Sequence, residues 1–309
     1  MDEFGRGPYY GPMPSVPVAI VGPRPESRFR RSVVLILVLA MLVVGIFWVV
    51  LVGRMAAGMP RPVTGTPLAV GEIDRGQSAK SLVDLAANSL LKPGSKLPTT
   101  DCELPEFDTD RKDLESYYLA AIDCLNRAWR PVVLQAGNAF VPPKLDTQDS
   151  PKSDCGEGPS EEEATAFYCS EDRTIYMPRV RLIDAVSDYP ELHMAVLAHE
   201  YGHHVQYLSD ILYAERLLEN SAPKDESLEL SRRTELQANC FAGVFLAAIK
   251  DHGSISSKFA DDSVAGYDGS DDTDTHGTAH NRGMWAKRGL EAGNTIACDT
   301  WSAPVAEVK

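Results

Sequence analysis

The chain has 309 residues, of which 44% are hydrophobic, 24% charged and 8% aromatic. That composition excludes wholesale disorder and collagen-like repetition and suits one or two globular domains. The formal charge of −14 argues against a nucleic-acid partner, because neutralising phosphates needs a concentrated Lys/Arg surface.

The average conceals one segment of the opposite character. Val33 to Gly53 is a run of 21 residues with no charged or polar side chain, and at about 1.5 Å per residue a helix of that length spans the roughly 30 Å of a bilayer's hydrocarbon core. The run predicts one transmembrane helix over 33–53, since the apolar part of a cleaved signal peptide is usually only about 7–15 residues long. Arg24, Arg28, Arg30 and Arg31 crowd its start. The positive-inside bias therefore places residues 1–32, a disordered tail rich in Pro and Arg, in the cytoplasm and everything after Gly53 outside the cell membrane. On this division the tail carries +2 and the 256 outer residues −16.

All six cysteines, Cys102, Cys124, Cys155, Cys169, Cys240 and Cys298, fall on the outer side. An even number in an exported region predicts disulfides. Of the fifteen connectivities, the sequential one is favoured: Cys102–Cys124, Cys155–Cys169 and Cys240–Cys298. A bridge closing a loop of about 15 residues, as Cys155–Cys169 does, contributes about 3 kcal/mol in the chain-entropy model.

Residues 54–100 are rich in Pro, Gly, Thr and Ser and predict an extracytoplasmic spacer, with one weakly amphipathic helical patch at Ser78 to Leu91. Residues 101–309 form the working domain. From Asp110 to about Ala136 apolar residues recur at helical spacing, and Pro131 is expected to kink or end that helix. Ala139-Phe140-Val141, Ala166-Phe167-Tyr168 and Thr174-Ile175-Tyr176-Met177 are β-prone runs that predict a small sheet or hairpin. A second helix starts at Asp188-x-x-Glu191, which resembles a capping box, with Pro190 in the first turn. A third runs from about Ser227 to Lys250 and a fourth from Thr278 to Glu291. The acidic stretch between them, Asp261 to Asp274, lacks the order of an EF-hand and predicts a solvated loop. The expected fold class is α+β, mainly α: a helical core with a small sheet or hairpin, preceded by one transmembrane helix.

The chemistry centres on His199-Glu200-Tyr201-Gly202-His203, the HExxH pattern. A random chain of this composition contains those three positions about 0.01 times. Residues i and i+4 share a helix face, so both imidazoles can reach one zinc ion, with Glu200 beside them to hold an attacking water. Leu192 and Val196 continue the same stripe. His193 is expected at the surface, and His204, rotated off the ligand face, at most behind the ligands. A catalytic zinc takes three protein ligands and keeps one open position. The best third ligand is Glu235, on the next helix. Small residues allow the approach this requires: Ala195, Ala198 and Gly202 on one helix, Ala238, Ala242 and Gly243 on the other. Asn239, one turn beyond Glu235, stands where a ligand histidine's second ring nitrogen needs an acceptor.

His199 to Gln206, Glu235 to Gly243 and Thr275-His276-Gly277-Thr278 with Arg282 and Trp285 resemble the neutral zinc metallopeptidases of bacteria. Cys155-Gly156, Phe167-Tyr168-Cys169 and Cys298-Asp299-Thr300 also match, so that the resemblance covers roughly residues 100–302. It implies one catalytic Zn2+ held by His199, His203 and Glu235, Glu200 as general base, and a peptide or protein substrate. This chain has Asn239 where that family usually has Asp. The spacing of His276 and Arg282 is similar to a segment near the zinc of membrane metalloproteases, which implies His276 as an oxyanion donor and Arg282 as its orienting partner or a substrate contact. The expected activity is peptide-bond hydrolysis outside the membrane. The alternative is a cell-surface binding or scaffold protein that keeps the zincin fold without cleaving.

Overall fold

The computed structural model describes residues 82–156, 159–160, 164–269 and 271–309. The expected tail, the 33–53 span and most of the spacer lie outside the described residues. Among the described residues no helix is long and apolar enough to cross a membrane.

The chain is mainly helical with one small sheet, as expected. Helix α1 (Leu82–Ala86) is followed by a 3-10 turn at Ser89–Leu91. Leu85, Leu90, Leu91 and Leu97 are buried in the main core, and Thr295 donates through its hydroxyl to the carbonyls of Leu90 and Ser95. The end of the segment that composition makes a spacer is thus built into the domain. Its leucines supply the apolar area that holds it there.

Helix α2 (Arg111–Gln135) is capped by the Asp110 side chain, which accepts from the Lys112 N–H. It passes through Pro131 without ending. The proline falls in the last turns, where Trp129, Val132 and Val133 are buried, and that burial offsets the one hydrogen bond a proline removes. The sheet has order β1-β3-β2: β1 (Lys144–Asp146) runs parallel to β3 (Thr174–Tyr176), and β2 (Phe167–Cys169) pairs antiparallel with β3. Two of the three β-prone runs become strands. Ala139 to Val141 remains irregular, and the Val141 carbonyl serves His204 instead.

Three short helices escaped the reading of periodicity: α3 (Arg179–Val186), α5 (Ile211–Glu219) and α7 (Ser257–Ala265). Each is only 8 or 9 residues long, less than the window over which a helical stripe becomes distinct. Helix α7 takes up Asp261 and Asp262, which pair with Lys250 at 2.7 Å and with Lys258, so the acidic stretch is only partly a loop.

The site is carried by α4 (Pro190–Leu208) and α6 (Lys224–Ile249). Pro190 opens α4 at its first position; Tyr189 is the N-cap residue and makes no side-chain capping bond, so the Asp188/Glu191 box does not form. Every residue of α4 from Leu192 to Gln206 is buried, which makes it the central rod of the domain rather than a helix with one wet face. As α4 advances from His199 through Gly202 to Gln206, its partners on α6 retreat from Asn239 through Ala238 to Thr234. The two helices therefore run antiparallel. A Cβ on Gly202 would stand 2.9 Å from the Ala238 carbonyl oxygen, so this crossing needs the glycine. Gly243 does a different job from the expected one. Its face meets α8 (Ala279–Ala292), where added carbon would collide with the Ala286 carbonyl, while Gly289 of α8 lies against Cys240 of α6.

The bridges Cys102–Cys124, Cys155–Cys169 and Cys240–Cys298 are all present, in the sequential order. The last ties α6 to the C-terminal segment, which Arg233 also fastens by donating to the carbonyls of Thr300, Trp301 and Ala303.

His193 is fully buried, not at the surface. The Tyr118 hydroxyl lies 2.5 Å from its Nδ1 and the Ser187 carbonyl 2.8 Å from its Nε2, so two polar partners stabilise an imidazole in the core. Burial lowers its pKa to about 4, against a smaller upward pull from the Ser187 carbonyl. The unfolded chain therefore binds this proton from about pH 6.5 downward while the folded chain resists it until about pH 4. Stability is expected to fall across that window by about 3 kcal/mol from this group, and to level off below it. Urea unfolding at a series of pH values checks this, and His193→Gln should flatten the slope.

Candidate metal centre

Helix α4 presents His199 and His203 one turn apart, and α6 brings Glu235 against both. The Glu235 Oε2 lies 3.1 Å from His199 Nε2 and 3.3 Å from His203 Nε2, and the two Nε2 atoms are 3.0 Å apart. All three residues are buried, and their ligand atoms lie within 4.8 Å of one another, as a group able to hold one metal ion.

The outer ring nitrogens show what this cluster fits. His199 Nδ1 lies 2.6 Å from Asn239 Oδ1, and His203 Nδ1 lies 2.8 Å from Gln206 Oε1. The Gln206 amide cannot turn round, because its Nε2 donates to the Thr234 carbonyl and to Gln237 Oε1 at 2.8 and 3.1 Å. Its Oε1 is thus fixed as an acceptor, and the His203 proton belongs on Nδ1. With Asn239 holding the His199 proton in the same way, both Nε2 lone pairs and a carboxylate oxygen converge on one point. Three electron-pair donors at such distances repel one another unless a cation lies between them, and two imidazoles with one carboxylate form a donor set suited to zinc.

Sequence reasoning placed Asn239 behind a histidine but gave Gln206 no role. Its signal was present, three residues beyond His203 on a helix, where i and i+3 side chains meet. Asn239→Ala is expected to weaken zinc affinity about 10–100-fold while leaving the three ligands in place. Competition for zinc with a calibrated chelator measures it.

The charges are strongly unequal. Burial pushes the Glu235 carboxyl up, but the neighbouring imidazoles of His203, His276 and His199 outweigh it and hold the group well below the ordinary carboxylate range. Burial, followed by repulsion from Glu235, pushes Glu200 the other way, well above that range, with the Tyr168 backbone N–H opposing. Neither Glu200 oxygen has a hydrogen-bond partner of normal geometry among the described residues. A fully buried carboxyl left so is costly unless it has work to do.

His276 reaches the cluster from the loop before α8. Its Nε2 lies 3.5 Å from Glu235 Oε2, and its Nδ1 is 2.8 Å from the Thr275 hydroxyl. Burial lowers its pKa to about 4, with Glu235 pulling the other way. Arg282 is buried and donates to the carbonyls of Gly277 at 2.6 Å, Asp271 at 2.8 Å and Tyr267 at 3.4 Å. These bonds tie together the loop that carries His276. Tyr267, at the other end of that loop, donates to the Ala195 carbonyl at 2.6 Å, one turn before His199. His204 takes no part in the cluster. It is buried between the Tyr168 hydroxyl at 2.9 Å and the Val141 carbonyl at 2.7 Å, and so fastens the sheet and the irregular 139–141 run to α4.

Two histidines one turn apart, a glutamate between them and a further glutamate from the next helix make this a zincin-type centre. A model of the family described as "Putative neutral zinc metallopeptidase" matches residues 63–301, and the chain belongs to that family. The match starts well upstream of the 100–302 stretch over which the motifs resemble it. The chain is 30% identical to "Uncharacterized protein YpfJ" of Escherichia coli K12 over 244 residues, covering 72% of this chain and 82% of that one. It is 32% identical over 178 residues to "Uncharacterized protein Mb2605" of Mycobacterium bovis, and equally to "Uncharacterized protein Rv2575" of Mycobacterium tuberculosis, covering 48% of this chain and 59% of each. No solved structure matches the chain.

Proposed function

We propose that this protein is a membrane-anchored zinc peptidase whose catalytic domain works outside the cytoplasmic membrane. The observation that carries the reading is the convergence of His199, His203 and Glu235, through unprotonated Nε2 atoms and a carboxylate, beside the unpartnered Glu200 carboxyl. When bound, zinc would polarise the scissile carbonyl and make water a stronger acid. Glu200 takes the proton of the attacking water and returns it to the leaving amine. Its buried surroundings favour the protonated carboxyl, which suits a base that must keep the proton until the C–N bond breaks. In the tautomer that accepts from the Thr275 hydroxyl at Nδ1, neutral His276 carries its proton on Nε2 and would donate it as a hydrogen bond to the carbonyl oxygen as charge develops there. Arg282 positions His276 by holding its loop.

The test is cleavage of a broad peptide library by the full chain in detergent, with zinc content measured in parallel. Cleavage that a chelator abolishes and added zinc restores is the expected outcome. Zinc bound in full with no peptide cleaved would favour a silent surface scaffold instead. The location rests on the uncharged 33–53 run, its arginine collar and three disulfides. Protease added to intact cells should remove the domain and leave residues 1–53 protected.

A further inference from the structure

His199, Glu200 and His203 stand on α4 and Glu235 on α6, whereas His276 stands on a turn. Thr273 and Gly277 pair across that turn, the Thr273 N–H donating to the Gly277 carbonyl at 3.2 Å and the Gly277 N–H to the Thr273 carbonyl at 3.0 Å. The His276 N–H donates to the Thr273 hydroxyl at 3.0 Å, and Gly277 takes a φ of 79°, in the left-handed region that closes such three-residue turns. A turn of this size is marginal by itself. The position of His276 is therefore set by what grips the turn from outside. Arg282 is one grip, from α8. A second is Arg232, half-buried on α6 one turn before the ligand Glu235. Its Nη1 donates to the Asp274 carbonyl, two residues before His276, at 2.8 Å, while its Nε donates to the Val308 carbonyl at 2.9 Å. Beside it the Ser231 hydroxyl donates to the Thr275 carbonyl at 3.4 Å.

The Val308 end of this arrangement is fixed. Val308 is fully buried in the main core, the Trp285 indole N–H donates to the Glu307 carbonyl at 2.8 Å, and the Asn281 amide donates to the Ala306 carbonyl at 3.1 Å. With one side of its planar fork anchored there, the guanidinium meets Asp274 in one geometry, which a lysine's single mobile ammonium would not impose. Because Arg232 and Glu235 share a helix, the turn is held in register with the ligand, and His276 Nε2 comes to 3.5 Å from Glu235 Oε2. We propose that Arg232 is a positioning residue of the peptidase site: anchored on Val308, it fixes the turn that presents His276 to the substrate carbonyl. The reaction it serves rests on the peptidase reading, whereas its hold on the turn does not.

The test uses the zinc-loaded full chain in detergent. Arg232→Met keeps the apolar stem and removes both donors. Hydrogen exchange read by mass spectrometry should quicken across residues 271–278 and stay unchanged in α4. With a peptide that the wild type cleaves, kcat should fall about 10–100-fold, the cost of a displaced group, while KM and zinc content hold. His276→Ala should itself lose about 10²–10³-fold. Adding Arg232→Met to it should cost at most about twofold more, since both changes act through the same histidine. A merely structural arginine predicts an equal fall in the two backgrounds. That outcome, a single variant with wild-type kcat, or unchanged exchange in the turn would overturn the proposal. Arg232→Lys, which keeps the charge and one donor, should recover part of kcat, and it takes the place of the methionine form in the cycle should that form fail to fold. A wild type that cleaves nothing, while exchange in the turn still quickens in the variant, would sink the peptidase reading and leave the hold on the turn standing.

Discussion

Glu200→Gln should lower kcat/KM for a cleaved peptide by about 10²–10⁴-fold, the range a positioned general base contributes, with zinc still bound one to one. The substitution keeps size and shape but removes the carboxyl proposed to take the proton of an attacking water. Zinc should stay because its three ligands and their partners Asn239 and Gln206 are untouched. Removing a fully buried carboxyl whose oxygens lack partners should also leave the domain no less stable, and slightly more so if the amide finds a bond. Zinc retention, peptide kinetics and a urea melt on one preparation separate these effects. Activity within a few-fold of wild type would remove Glu200 from the mechanism; loss of zinc along with activity would make it a ligand or a structural support instead.

Glu235→Ala has the opposite signature, because the metal itself should be lost. This carboxylate is the only anionic member of the set, and it also stands 3.5 Å from His276. Without it two neutral imidazoles remain, which cannot close a three-ligand site. Affinity should drop well beyond the about 10–100-fold that a group behind a ligand is worth. Dialysis against a weak chelator followed by metal analysis should find the wild type loaded and the variant empty, with hydrolysis lost in step. Full zinc occupancy in a folded Glu235→Ala chain would overturn the ligand assignment. The pair is more informative than either variant alone, since one keeps zinc and loses turnover while the other loses both.

Much of the centre was legible in the sequence because its parts are local. His199 and His203 face one way on any helix, and 32 residues to Glu235 suit a turn and a return. The three disulfides were readable as a sequential pairing, and the long helices announced themselves over many turns. The misreadings are of one physical kind. His193 looked like a surface residue because a histidine's environment depends on Tyr118 and Ser187, distant in the chain or on a connecting turn. Pro131 was expected to kink or end its helix, and the helix runs on through it to Gln135, because the proline's cost is local whereas the burial of Val132 and Val133 that offsets it is not. Gly243 was assigned to the wrong neighbour, since a small residue announces a close approach but not by which helix.

The sequence by itself determined the uncharged 33–53 run, the net charge on either side of it and the metal-ligating residue types at workable spacing, because these depend on order along the chain alone. The tertiary structure decided which protons sit where. Gln206, locked by Thr234 and Gln237, fixes the His203 tautomer, and Asn239 holds the other ring in the same sense. It also decided that Arg282 ties down the loop that carries His276. The physical reason is that hydrogen-bond direction and desolvation are set by atoms brought together across the fold, and no spacing along the chain encodes them.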